Sequence, residues 1–268
     1  MKFTYDHDLH IHSYLSNCSR DPLQTPESIL EYAKQNHLKQ VCITDHFWDE
    51  TVDGASGWYS QHHKFSQIAQ SRPLPKDENV EFLFGCETEL NKYFTLGISA
   101  ERFKEFDFVV IPTTHLHMKG FTLEEEDCGN PDRLAKLWVK RVSAVLNMDL
   151  PFYKIGLAHL TCIHILRSSR EKYLETLSLI SNDDMFALFQ QASKLGVGIE
   201  LNAVDMSFAE KEADIILRPY YIAKECKCKF YLGSDAHHPQ SFANTKSFAR
   251  AIDMLGLEES DKFLLGKK

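Results

Sequence analysis

The 268-residue sequence has no apolar run near the ~20 residues that a membrane-spanning helix needs, which argues against a helical membrane protein. The ten N-terminal residues are polar and charged, so we expect no signal peptide. Basic residues are not in excess, because 38 acidic against 30 basic residues give a formal net charge of −8. Binding to a nucleic-acid backbone needs clustered positive charge, so a nucleic-acid partner is not expected.

The cysteines form neither a disulfide framework nor a zinc-knuckle pattern. Their number is odd, seven, and most lie in apolar runs, as do Cys42, Cys86 and Cys162. Cys226 and Cys228 are too close together, and too isolated, for a zinc knuckle. This usage predicts buried reduced thiols and a cytoplasmic location.

Short apolar runs alternate with helical patterns along the whole chain, with no low-complexity segment and no obvious linker. We therefore predict one domain over residues 1–268. The runs are continuous and rich in Val, Ile and Phe, as is typical of strands buried on both faces. The predicted strands are 5–11, 40–44, 80–86, 106–112, 154–158, 197–201 and 229–233.

Helical periodicity fills the intervals between these strands. Thr25 and Pro26 form a helix start, and Gly196 is a helix end just before a strand. Other helices are predicted at 132–146, 171–180, 184–195, 213–223 and 240–255. Alternating strands and helices indicate a parallel sheet, and seven strands favour a (β/α)7 barrel over the alternative, an open doubly wound sheet.

Each predicted strand ends beside side chains that can bind a metal. The carboxyl ends of parallel strands meet at one rim, so these groups should converge there. A lone histidine at a strand end is more often structural than a ligand, but a ligand at nearly every strand end is a different pattern. The residues are Asp8, His10, His12, Asp45, His46, Glu87, His115, His117, His159, Glu200, Asn202, Asp235, His237 and His238.

The spacing within two of these groups suits a shared ion. Alternate residues of an extended chain point to the same side, so His10 and His12 can bind together, and Asp235 and His237 repeat the pattern. Imidazole with carboxylate suits zinc, iron or manganese better than calcium or magnesium. There are more such groups than one ion can use, which predicts two to three divalent transition metals.

The order of these motifs resembles that of the PHP (polymerase and histidinol phosphatase) family. The motifs are D-x-H-x-H at 8–12, T-D-H at 44–46, G-x-E at 85–87, a histidine at 115, A-H at 158–159 and S-D-x-H at 234–237. Together they extend over nearly the whole chain, and six in this order are specific. The resemblance implies a distorted (β/α)7 TIM-like barrel, usually three metals, and hydrolysis of phosphate esters.

The resemblance also implies three groups of ligands. They are His10, His12, Glu87 and Asp235 for the first metal, the bridging Glu87 with His115 and His159 for the second, and His46 with His237 for the third. The third metal usually has one more His or Asp shortly after the H-x-H pair. Here that stretch is Ser16-Asn17-Cys18-Ser19, so either Cys18 as a thiolate or Asp21 would complete the site, or the site is weak. His117 is a rival to His115.

The chemistry expected of such a site is metal-assisted in-line hydrolysis, with Asp235, Glu87 and His237 as candidate catalytic residues. Asp8 and Asp45 are expected to orient ligand imidazoles, and Glu200 and Asn202 could do likewise. Candidates for a cation that contacts phosphate are Arg167, Arg170, Lys119, Lys211 and Arg218. The long insert at 47–79 is interpreted as a lid or as packing against the barrel.

The expected partner is a small phosphorylated substrate, with L-histidinol phosphate as the leading candidate. The acidic run 124–127 would attract its cationic amine, or is only a solvated charge run. A nucleotide phosphatase or nuclease, and a catalytically silent metal-stabilised module, are the alternatives. The oligomeric state is not predicted.

Overall fold

The computed structural model describes residues 1–265, so the last three residues of the predicted domain lie outside the described chain. The strands are β1 (His7–Ile11), β2 (Gln40–Ile43), β3 (His46–Phe47), β4 (Glu81–Thr88), β5 (Phe108–Pro112), β6 (Ile155–Ala158), β7 (Gly198–Asn202) and β8 (Lys229–Gly233). The helices are α1 (Pro26–Gln35), α2 (Gly57–His62), α3 (Phe65–Ile68), α4 (Pro131–Leu146), α5 (Arg170–Leu179), α6 (Asn182–Leu195), α7 (Ala213–Ile216), α8 (Arg218–Glu225) and α9 (Lys246–Leu255).

Seven of the strands pair in parallel in the order β1-β2-β4-β5-β6-β7-β8. The first and last strands also meet, because the Asp235 amide donates to the His10 carbonyl (2.7 Å) and the His12 amide to that of Ala236 (3.0 Å). These bonds nearly close the sheet. The predicted (β/α)7 barrel is confirmed, and the open-sheet alternative is wrong.

Local sequence signals define several helix ends. Thr25 caps α1 through the Ser28 amide, and Pro26 takes the first helical position, where a missing N–H costs nothing. Asn130 caps α4 in the same way, with Pro131 next. Gly196 ends α6 in the left-handed conformation that favours glycine.

Two predicted helices are divided in the structure. The helix expected at 213–223 is α7 followed by α8, because Pro219 lacks the N–H that a continuous helix would use at that point. The helix expected at 240–255 begins as a 3-10 segment, Pro239–Thr245, before α9. The insert at 47–79 contains α2 and α3, which were not predicted. None of the described helices combines the length and apolarity that crossing a bilayer requires.

Candidate metal centre

The predicted ligands lie together at the rim formed by the carboxyl ends of the strands. Two parts of this cluster differ in depth. The inner centre is His10, His12, Glu87 and His159, whose side chains are at most 3% exposed. The outer edge is Cys18, His46 and His237, of which Cys18 is exposed, His237 half-buried and His46 buried. Asp235 lies between the two parts, with its side chain 18% exposed.

His10, on β1, and His12, directly after it, point to the same side, as their spacing predicts. The Nε2 atoms of His10 and His12 are 3.2 Å apart. Asp235 Oδ1 lies 3.2 Å from His12 Nε2 and 3.6 Å from His10 Nε2. Burial opposes protonation of His12, but Asp235 and Glu87 outweigh it and raise the pKa of His12 to about 9. The carboxylates therefore make this a site of strong attraction for cations.

Glu87 lies at the middle of the inner centre, and its environment fits a metal ion. One of its oxygens is 3.7 Å from both His10 Nε2 and His159 Nε2, and the other is 2.8 Å from His46 Nδ1. Both oxygens are buried, yet neither accepts a hydrogen bond from the described residues. A buried carboxylate without donors is costly. Cations held between Glu87 and these imidazoles would satisfy it.

His115 and His159 lie next to each other, with ring centroids 4.7 Å apart. His159 Nε2 faces the inner centre, 3.5 Å from Asp235 Oδ2. The Cys162 sulfur lies within 4.8 Å of ligand atoms of both histidines, a neighbour that the sequence analysis did not identify. Two of the three residues predicted for the second metal, His115 and His159, are therefore adjacent, with a thiol beside them.

The outer edge contains Cys18 rather than Asp21. Ligand atoms of Cys18, His12, His46 and His237 all lie within 4.8 Å of one another. Asp21 is instead bonded to His238 Nδ1, at 3.2 Å. Of the two candidates for the third site, only the thiol is positioned beside the histidines.

Two of the site residues have backbone conformations that a strand does not provide. Asp235 has φ of 52° and His159 has φ of 61°, both in the left-handed region that is unfavourable for residues other than glycine. Asp235 and His237 therefore do not converge as alternate residues of an extended chain, and that expectation is wrong. Instead the chain turns at Asp235, and His237 Nδ1 donates to the Asp235 carbonyl at 2.8 Å.

Buried polar groups behind the cluster hold two of the imidazoles. Glu200 Oε1 is 2.6 Å from His10 Nδ1, and Gly233 gives this carboxylate room because a Cβ there would collide with it. Asp45 acts on His12 indirectly, because it accepts from Ser16 Oγ (2.7 Å), which lies 3.0 Å from His12 Nδ1.

Asp8 does not have the role expected of it. Its oxygens accept from the Ser234 amide at 2.9 Å and from Tyr32 Oη at 3.0 Å, on the side of β1 away from the inner centre. The expectation that Asp8 orients a ligand imidazole is wrong, because the register of β1 shifts between Asp8 and Ile11, so the two-residue alternation does not carry from Asp8 to His10. Asp8 instead ties β1 to the segment after β8.

Two further carboxylates were missed by the sequence analysis. Glu89 Oε2 lies 3.0 Å from His115 Nδ1, and Asp205 Oδ2 lies 3.6 Å from His159 Nδ1. Glu89 follows Glu87 by two residues, so the alternation that linked His10 to His12 could have identified it. Asp205 lies in a loop after β7, where the sequence carries no such signal.

A cavity of about 730 Å³ opens above the cluster. Ser56, Trp58 and Tyr59 from the insert line it, while Trp48 and Tyr59 pack with Phe121 in a buried aromatic group. Both interpretations of the insert therefore hold in part: it forms a wall of the cavity and packs against the barrel.

Among the cation candidates, Lys119 and Arg167 line the cavity. Lys119 forms an ion pair with Glu125, and Arg167 donates to His164 Nε2 at 2.8 Å. Arg170 is instead paired with Glu212, at 2.6 Å. Arg218 bonds the Asn182 side chain and a backbone carbonyl, and Lys211 is not among the lining residues.

His117 also lines the cavity but lies outside the cluster, since it is exposed whereas His115 is buried. His115, not His117, has a ligand atom within 4.8 Å of those of His159 and Cys162.

The PHP domain family model matches residues 8–204, which is most of the chain. The chain belongs to the PHP domain family. It is thereby a PHP-type metal-dependent phosphoesterase, and the match includes every cluster residue except Asp235 and His237, which follow the matched segment. No curated protein shows significant sequence similarity to this PHP chain.

Two solved structures share this PHP fold. One is histidinol phosphate phosphatase from Lactococcus lactis subsp. lactis Il1403, in complex with zinc, L-histidinol and phosphate. It has a TM-score of 0.64 and 16% identity, and the match covers 94% of each chain. The other is a putative histidinol phosphatase from Listeria monocytogenes, with a TM-score of 0.58, 14% identity and coverage of 90% of this chain and 99% of that one. Because these identities are low, the likeness shows a shared barrel fold and no more.

Proposed function

We propose that this chain is a phosphatase that hydrolyses a small phosphate monoester with two to three divalent metal ions bound at its rim. The observation that carries the proposal is the environment of Glu87, whose buried oxygens face imidazoles of the inner centre and accept no hydrogen bond from the described residues. Cations bound between these oxygens and the imidazoles would compensate the buried charge of Glu87. The cavity above it gives a substrate access.

The proposed ligands are those of the inner centre and the outer edge, with Asp235 and His115. Bound zinc, manganese or iron would supply Lewis-acid charge that activates water and neutralises phosphate oxygens. Asp235 borders both the cluster and the cavity, so it is the candidate acceptor for a proton from water. His237 has its Nδ1 fixed by a carbonyl, which leaves Nε2 free for the cluster or for substrate.

Arg167 is the proposed contact for the phosphate group. It lines the cavity, and among the described residues no carboxylate forms an ion pair with it. Its guanidinium can present two parallel donors to a phosphate, the geometry in which arginine exceeds lysine. Arg167→Lys keeps the positive charge but loses the two parallel donors, so it should raise KM about tenfold.

L-histidinol phosphate is the first substrate to test. The support is that the Lactococcus lactis protein, which shares the fold over nearly its whole length, was solved with zinc, L-histidinol and phosphate. The cavity is also large enough for a substrate of that size.

A second candidate is a phosphate monoester without an ammonium group. The carboxylates that line the cavity within the described chain are Glu87 and Asp235, and both face imidazoles. None of the acidic residues 124–127 lines the cavity, and Glu124 pairs with Lys92 and Glu125 with Lys119. Trp58 and Phe121 instead offer apolar surface to a flat leaving group.

Steady-state kinetics with matched substrates tests both candidates. Histidinol phosphate is compared with its analogue lacking the amine, and with nucleotide and sugar phosphates, after zinc or manganese is restored. A catalytic efficiency of at least about 10⁴ M⁻¹ s⁻¹ would fit a physiological substrate. Preference for the deaminated analogue favours the second candidate. No hydrolysis of any monoester by the metal-loaded protein would reject the proposed function and favour a silent module.

A further inference from the structure

A buried chain of contacts lies behind His115, on the side away from the inner centre. His115 Nδ1 is 3.0 Å from Glu89 Oε2, and Glu89 Oε1 is 3.3 Å from Arg141 Nη2. Both Glu89 and Arg141 are fully buried. A buried ion pair is costly to desolvate, and replacing such a pair by apolar residues is often neutral for stability. Its presence here therefore calls for a role other than stability.

Arg141 is held firmly from several directions. It lies on the apolar stripe of α4, and its guanidinium donates to the backbone carbonyls of Thr113 (2.6 Å), Leu90 (2.7 Å), Thr122 (3.1 Å) and Asn91 (3.4 Å). These carbonyls belong to the segments that follow β4 and β5, which are the segments that carry Glu89 and His115. Arg141 therefore fixes the position of Glu89 relative to the imidazole.

The consequence for His115 follows from its tautomers. A neutral imidazole carries one proton, and the ionised form of Glu89, which the Arg141 guanidinium favours, accepts that proton from His115 Nδ1 in a hydrogen bond. The lone pair then remains on Nε2, the nitrogen opposite to Glu89. Because the ring lies next to His159, this nitrogen is available to the metal cluster.

We propose that Glu89, held by Arg141, is a positioning residue that fixes His115 in its Nδ1–H form and thereby sets the affinity of the second metal ion. The proposal rests on the proposed function only in that His115 binds a metal. Among the described residues, no other carboxylate that contacts a cluster histidine is paired with an arginine. Replacing Glu89 should therefore change the affinity for the second ion and leave the other ions unaffected.

The test uses the full chain with Glu89→Gln and Glu89→Ala. Gln keeps an acceptor for His115, whereas Ala removes it. Zinc binding is measured by chelator competition, and the tautomer of His115 by long-range ¹H–¹⁵N NMR with labelled histidine, assigned with His115→Gln. We expect the Nδ1–H tautomer in the zinc-loaded wild type. Glu89→Ala should weaken one zinc site about 10- to 100-fold, and Glu89→Gln should restore most of that affinity.

Glu212→Gln is the matched control, because Glu212 forms a carboxylate–arginine pair with Arg170 and contacts no histidine of the cluster. It should bind zinc as the wild type does. Unchanged zinc affinity in Glu89→Ala, or an Nε2–H tautomer in the wild type, would overturn the proposal. If Glu89→Ala fails to fold, the proposal is still tested by the tautomer of His115 in the wild type and by the zinc affinity of Glu89→Gln. An Nε2–H tautomer, or loss of the site in Glu89→Gln, would count against it. A wild type that binds zinc in this way yet hydrolyses no phosphate ester would reject the proposed function alone.

Discussion

The inner centre and the outer edge of the cluster use the same kinds of side chain but are supported differently. In the inner centre, His10 and His12 lie on or directly after β1, Glu87 lies on β4, and the Glu200 carboxylate is 2.6 Å from His10. At the outer edge, Cys18 and His237 lie in loops near solvent. The inner centre is fully buried, whereas Cys18 and His237 of the outer edge are held only by loops, so metal affinity should fall from the inside to the outside.

The largest expected effect is at the inner centre. Glu87→Gln removes the charge that lies among the imidazoles of His10, His12, His46 and His159, so more than one ion should lose a ligand. Activity should fall at least about 1000-fold, and the metal content should fall with it. Elemental analysis and a phosphatase assay measure both. Glu126→Gln, an exposed acidic position, is the control. Full metal content in Glu87→Gln would show that the inner centre does not depend on this carboxylate.

A smaller effect is expected at His115, which lies beside His159 of the inner centre. His115→Ala should lower activity about 100-fold with loss of one ion, because the ring is buried beside His159. His117→Ala should cost less than about tenfold, since that ring is exposed at the cavity wall. Metal content and kcat of the two variants are compared directly. The opposite ranking would move the ligand assignment by two residues.

A substitution at the outer edge should have a smaller effect still. Cys18→Ser removes the thiolate beside His46 and His237, so the third ion should be lost at low zinc while the other ions remain, with a roughly tenfold loss of activity. Cys18→Asp should recover binding, because a carboxylate can also ligate zinc. Cys128→Ser, an exposed thiol, is the control. If Cys18→Ser keeps every ion at the same affinity, the thiol is not a ligand.

The smallest effect on metals is expected at Asp8, which lies on the opposite face of β1. Burial raises the pKa of Asp8 to about 6, above that of an unfolded chain. Its contribution to stability is therefore present at low pH and lost as pH rises through about 6. Asp8→Asn should bind metal normally. Its free energy of unfolding relative to that of the wild type should be higher at pH 7.5 than at pH 5, by an amount on the order of 1 kcal/mol, because only the wild type titrates in this range.

The advantage of Asp8→Asn should shrink at pH 5, where the wild-type carboxyl is protonated. Urea unfolding of both proteins in one buffer at each pH measures this difference. An advantage that stays constant, or grows, on acidification would contradict the assigned role.

The sequence predicts the strand-borne part of the site because strand geometry is periodic. Apolar runs located all seven barrel strands, and alternation placed His10 and His12 together. The loops have no such rule. The turn at Asp235, where φ is positive, and the choice between Cys18 and Asp21 depend on tertiary contacts.

The same limit explains the residues that were missed. Asp205 and Cys162 follow β7 and β6 in loops, where spacing carries no information about direction. Arg141 carried a signal that was overlooked. It occupies a core position on α4 between Trp138 and Val145, where a charged residue needs a buried partner.

Anomalous X-ray scattering from crystals of protein purified without chelator tests the central claim most directly. Data collected at the zinc, iron and manganese absorption edges locate each ion independently of any activity. We expect two or three peaks between the side chains of the inner centre and the outer edge, with the strongest beside Glu87 and the weakest beside Cys18. The absence of any peak at this rim, in protein that hydrolyses a phosphate ester, would contradict it.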